Sequence, residues 1–109
     1  MTMSPHDWPL DCDVTLDAVR SLHTPAGHYR ISPGSYPAGT SFPGISRAGR
    51  VYVLSGACSY TFDHSTVQLS APSYFDHPEG GYNFAVDGDD EVSLIHVWLL
   101  PPEFRHNES

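Results

Sequence analysis

Lysine is absent from this chain of 109 residues. Its five basic residues are all arginine, at positions 20, 30, 47, 50 and 105, against 13 Asp and Glu, and the formal net charge is −8. Nucleic acid is held by a basic face, and a chain so poor in cations offers none, so no nucleic-acid partner is expected. Long apolar runs are missing too: no stretch approaches the roughly 18 apolar residues of a membrane-crossing helix, so no membrane contact is expected. The opening residues MTMSPHDWPLDCDV lack the basic-then-apolar order of a secretory leader, which points to a cytoplasmic protein. Cysteine is scarce. Cys12 and Cys58 make no disulfide framework and read as reduced thiols, Cys58 half-buried in a strand-like run and neither activated as a nucleophile.

What is present points to short strands. Ten prolines and nine glycines break the chain too often for long helices, while the 39% hydrophobic content is too high for a disordered chain. The length fits one domain with one modest core. Residues 1–12 read as an arm in which Pro5 and Pro9 prevent a helix and Trp8 and Leu10 are free to dock. DVTLDAVRSL (13–22) has apolar residues at roughly helical spacing behind a cap at Asp13 or Thr15, and fits either a short helical turn or a hairpin leg.

From residue 28 the apolar period is two. HYRIS, GRVYVLSG, CSYTFD, STVQLS, YNFAV and EVSLIHVWLLP read as strands, the last buried on both faces and ended by Pro101 and Pro102. PGSYPAGTSFPG (33–44) reads as loop with an extended piece, and DGDD (87–90) as a turn. The expected fold is all-β, a small antiparallel barrel or jelly-roll. Residues 1–27 form an arm packed on it, 28–102 the barrel and 103–109 a flexible tail.

The order GRVYVLSGACSYTF, then VQLSAPSYFDHPEGGYNFAVDGDDEVSLIHVWLLP, resembles the cupin family of small β-barrels over about residues 28–101. Cupins carry two motifs, G-x5-H-x-H-x3–4-E-x6-G and G-x5-P-x-G-x2-H-x3-N. The second is matched at Pro78 and Gly80, and the closing glycine of the first at Gly56. Counting from these anchors puts the metal-binding positions at Pro43, Ile45, Gly49 and Asn83. Three of these carry no donor atom and one a weak amide oxygen, whereas a divalent ion needs three or four imidazole or carboxylate groups at about 2.0–2.2 Å. The resemblance therefore implies a cupin without a metal or other cofactor.

Strand parity then selects candidate site residues. If Gly49 points inward, so do Val51 and Val53, while Tyr52 and Leu54 face outward. Phe75 and His77 share a face, which the cupin resemblance implies is the barrel face. Leu94, His96 and Trp98 also share a face, and if it points inward His96 and Trp98 line the cavity. A histidine inside an apolar strand is costly unless it is bonded or faces a cavity, which makes His77 and His96 the candidate acid–base pair, against the plainer readings of a surface or interface histidine. Tyr82 and Asn83 would orient a ligand oxygen. Val51, Val53, Phe75 and Trp98 would supply an apolar wall, and Arg47 would meet a ligand carboxylate. His6, His23, His28, His64 and His106 read as exposed. The expected function is binding of a small organic molecule in the barrel, with His-based isomerase, epimerase, cyclase or lyase chemistry. The alternatives are a non-catalytic binding or accessory protein and a metalloenzyme with non-standard His ligands. A homodimer is expected, paired through Tyr52, Leu54 and the arm around Trp8.

Overall fold

The computed structural model describes residues 6–8, 15–23, 26–63 and 65–100. Cys12, the cap candidate Asp13, His64, His106, the strand stop at Pro101 and Pro102 and the tail 103–109 lie outside the described residues. The all-β expectation holds. The described strands are β1 (His6–Asp7), β2 (Tyr29–Tyr36), β3 (Ser41–Ser46), β4 (Gly49–Ser55), β5 (Ala57–Phe62), β6 (Ser65–Ser70), β7 (Ser73–His77), β8 (Gly80–Asp87) and β9 (Val92–Leu99). They pair antiparallel into two sheets, ordered β1-β7-β4-β9-β2 and β3-β8-β5-β6.

The inner faces of the two sheets enclose the main core. Val51 and Val53 of β4, Tyr60 of β5, Leu69 of β6, Phe75 of β7 and Phe84 of β8 are all essentially inaccessible to solvent. Cys58 belongs to this layer and is wholly buried rather than half-buried. Gly56 turns the chain from β4 into β5 at φ 78°, with the Glu91 carbonyl where a Cβ would sit. Only glycine meets both demands.

Residues 33–44, read as loop from their Pro and Gly content, contain the end of β2 and most of β3. Both strands are sheet edges. An edge tolerates Pro33 and Pro43 because one side of the backbone needs no ladder partner. The composition signal was real, but it marked edges rather than an absence of strand.

The outer face of the first sheet carries a second apolar layer. Helix α1 (Leu16–Leu22) is capped by Thr15, whose hydroxyl accepts the Ala18 N–H at 3.1 Å. This resolves the helix-or-hairpin alternative. Its Val19 is fully buried against Tyr52, Ile95 and Val97, with Trp8 edge-on to Tyr52. A side chain buried like Val19 contributes about 1.5–3 kcal/mol, so this short helix is held by packing more than by propensity. Leu94, His96 and Trp98 face the barrel while Ile95 and Val97 face α1, so β9 is covered on both faces as its apolar run predicts. Tyr52 and Leu54 do face outward, but Tyr52 is 0% exposed beneath α1 and Trp8. The chain covers with its own arm the face expected to pair two copies. No helix among the described residues is long and apolar enough to cross a membrane.

Candidate functional site

One end of the barrel gathers the polar and aromatic groups. Pairing register fixes who faces inward. His77 lies opposite Gly49, His96 opposite Val51 on one side and Ser32 on the other, and Trp98 opposite Arg30. The second sheet contributes Gly44 and Ser46 of β3, Tyr82 of β8, and Tyr60 and Phe62 of β5. Trp98 spans the gap between the sheets, donating its indole N–H to Ser46 Oγ at 3.0 Å.

His77 is 3% exposed. Its ring stands nearly perpendicular to Tyr82, Phe62 and Tyr60, at centroid distances of 5.0, 5.3 and 5.5 Å. Its Nδ1 donates to the neighbouring Pro78 carbonyl at 2.6 Å. In the neutral ring that bond places the proton on Nδ1 and leaves Nε2 as a bare acceptor. Nε2 is buried without a partner among the described residues. An orphaned polar atom of this kind costs about 1–3 kcal/mol.

His96 sits 6.4 Å from His77, centroid to centroid, and its Nε2 shares a 3.0 Å hydrogen bond with the Tyr60 hydroxyl. Burial, and secondarily the repulsion from a charged His77, holds His96 down to about 4. Burial also lowers His77, although its bond to the Pro78 carbonyl opposes the shift. The phenols move the other way: burial raises both Tyr60 and Tyr82. Near neutral pH every one of these groups is uncharged. The cluster offers hydrogen bonds and stacking faces, and it is a poor source of protons.

The glycines explain where the rings go. A Cβ on Gly44 would lie 2.6 Å from the Tyr82 ring, and one on Gly49 would collide with the Val97 carbonyl and come within 2.8 Å of the Trp98 indole. Tyr82 and Trp98 fold over bare backbone and occupy space that side chains at 44 and 49 would need.

The sequence has no match to any known protein-family description, and no curated protein matches it. Solved structures do match. A cupin-2 domain-containing protein from Shewanella frigidimarina superposes with a TM-score of 0.56 at 10% identity, over 80% of this chain and 94% of that one. The chain has a cupin fold. A conserved protein of unknown function from Streptococcus pyogenes is similar with a TM-score of 0.58 at 18% identity, over 68% of this chain and 66% of that protein's length.

Metal-binding cupins aim their ligands into the barrel, and here the structure corrects the motif count. Pro43, Ile45 and Asn83 are exposed, and Ile45 is 88% accessible. Pro43 pairs with Asn83 on the outer side of the second sheet. The inward positions are Gly44, Ser46 and Tyr82, one residue away in each strand. A slip of one residue reverses the face because side chains alternate. The corrected set still does not fit a divalent ion. Two neutral imidazoles, one already bonded to Tyr60, are joined by glycine, serine and phenol. Among the described residues no three His, Cys, Asp or Glu groups come together as a metal site.

The expected site residues separate into two levels. Val51, Val53 and Phe75 lie in the buried core between the sheets. His77, His96, Tyr82 and Trp98 are brought together, and Asn83 is not among them. Arg47 stands exposed outside Trp98. There it helps bound an open pocket of about 300 Å³ with Arg30, Ile45, Ser46, Trp98 and Leu99–Leu100. Arg30, Ser32, Ser46 and Tyr60 were not singled out from sequence. The alternation of SFPGIS and CSYTF carried the signal for Ser46 and Tyr60. Arg30 and Ser32 needed the register of β2 on β9, which no local pattern encodes. His23, expected to be exposed, is half-buried on the outer face and bonded to the Tyr52 hydroxyl at 2.9 Å. Burial, with Arg50 nearby, lowers its pKa.

Proposed function

We propose that this cupin barrel binds a small organic molecule at its mouth, above Trp98, without a metal ion and without turning the molecule over. The observation that carries this reading is the contrast between the two levels. The mouth holds an open pocket of about 300 Å³, at the lower end of the roughly 300–1,000 Å³ usual for small-molecule sites. Beneath it, His77, Tyr60, Tyr82, Phe62 and His96 are packed ring against ring. The lowered His96 supports binding over acid–base work, because an imidazole held near 4 is a weak base near pH 7 and its conjugate acid is scarcely populated.

A second reading, a His-dependent isomerase or cyclase, is favoured by one observation: the unpartnered Nε2 of His77, a buried acceptor fixed in its tautomer. The two readings separate experimentally. The purified chain is incubated with a deproteinised extract of polar metabolites and desalted, and the retained molecule is released and identified by mass spectrometry. Binding at the mouth predicts that Trp98→Ala loses the molecule, that His77→Gln keeps it, and that it is released unchanged. Release of an isomer or elimination product from the wild-type chain, absent with His77→Gln, would establish the enzyme.

A further inference from the structure

The walls of the mouth pocket differ in charge from the rest of the molecule. Its lining contains no acidic residue and two of the five arginines. In a chain with a net charge of −8, an arginine readily finds a carboxylate. Arg50 does so, bonding Asp76 at 2.8 Å. Arg30 and Arg47 make no ion pair among the described residues. The fold places both beside one aromatic ring: Arg30 is directly opposite Trp98 in the β2–β9 ladder, and Arg47 follows Ser46, which holds the Trp98 indole. Large aliphatic surface flanks them, with Ile45 88% and Leu99 52% exposed.

Resting on the mouth as the binding site, we infer that the ligand is an organic monocarboxylate with an apolar body. The guanidinium groups of Arg30 and Arg47 take the carboxylate through charge-assisted hydrogen bonds, and guanidinium geometry suits a planar bidentate acceptor. Trp98, Ile45 and Leu99 cover the hydrocarbon part and gain the burial they lack in the free chain. The net charge argues against a polyanion such as a phosphate ester, which the overall field of the protein repels more strongly than a monoanion.

The test is a titration of the isotope-labelled full chain, followed by NMR at the Trp98 indole N–H and the backbone amides of residues 45–47 and 98–100. The probes are phenylacetate, hexanoate, the neutral isostere phenylacetamide and inorganic phosphate. The inference predicts saturable shifts with phenylacetate or hexanoate and affinity about tenfold weaker for phenylacetamide, about one charge-assisted contact's worth. Arg30→Gln and Arg47→Gln should each weaken the carboxylate about fivefold or more, while Arg20→Gln on α1 changes nothing. Equal binding of phenylacetate and phenylacetamide would keep the mouth as a site and overturn the carboxylate. Tighter binding of phosphate would likewise overturn it. No shift with any probe would overturn both the inference and the site beneath it. Nuclear Overhauser contacts from Phe104 to the Trp98 indole in the free chain would give the pocket to the chain's own tail. Shifts of Ile45 and Leu99 that vary with protein concentration would give it to a second copy. Either result overturns the proposal.

Discussion

The indole of Trp98 lies flat on the imidazole of His96, the planes 5° apart and the centroids 5.3 Å apart. This stack, tied to Ser46, lies between the open mouth and the buried His77. Trp98→Ala removes the stack. It should cost about 3 kcal/mol in urea unfolding, near the low end for tryptophan truncation because Trp98 is only partly buried. It should also let water reach His96, whose pKa, followed by NMR of its ring protons, should climb from about 4 toward the ordinary value. An unchanged His96 titration would show that Trp98 is not what keeps the ring dry.

Stability should fall with acid in a defined window. His96 titrates near 4 in the folded chain and near 6.5 unfolded. The folded value is the lower, so the unfolded chain takes up the proton first. The stabilisation from the neutral ring is complete above about pH 6.5 and is lost as pH falls toward about 4, amounting to roughly 3 kcal/mol. Unfolding free energies from urea titrations at pH 7.5 and 5.0 should differ by about 2 kcal/mol. His77 and His23, also lowered by burial, push the same way. His96→Gln should remove most of the difference, and an identical slope in that variant would refute the assignment.

The two glycines under the aromatic rings should not be equally sensitive. At Gly44 the atoms nearest a methyl all belong to the far end of the Tyr82 side chain, so no backbone has to move. At Gly49 it meets the Val97 backbone carbonyl as well as Trp98. Gly49→Ala should therefore destabilise the fold by about 1–3 kcal/mol, within the usual range for overpacking, and Gly44→Ala by less. Denaturant titration of the two variants side by side checks the order.

Cys58 should be chemically silent in the native chain. It is 0% exposed, and burial, with Asp87 nearby, pushes its thiol up to about 12. The thiolate is the reactive form, so iodoacetamide at pH 8 should leave Cys58 unmodified by peptide mapping until denaturant is added. Rapid native alkylation at Cys58 would contradict the packing of β5 and β6.

Much of this was legible in the chain. Alternation in GRVYVLSG, SYFDH and SLIHVWL separates the two faces of β4, β7 and β9, because a strand repeats its chemistry every two residues. Which face points inward is not carried by the pattern. The motif count places Pro43 and Asn83 one residue from the inward Gly44 and Tyr82. The count back from Gly56 to Pro43 crosses the turn between β3 and β4, whereas the count from Gly80 to Asn83 stays inside β8 and shows that motif spacing alone does not fix the face. The alternation of YNFAV puts Tyr82 and Phe84 on one face. What no local pattern supplies is long-range register. Arg30 and Trp98 are far apart in sequence and meet only because β2 pairs with β9, and Tyr60 meets His96 only because the two sheets face each other.

At the end of the barrel where Gly44, Ser46 and Tyr82 point inward, aromatic rings fill the space a metal ion would need. Equilibrium dialysis of the chain against zinc, iron(II), nickel and manganese, followed by elemental analysis, should give far less than one ion per chain for every metal, with no difference between wild type and His77→Ala. One tightly held ion per chain, lost on substituting His77 or His96, would show that the pocket is a metal site.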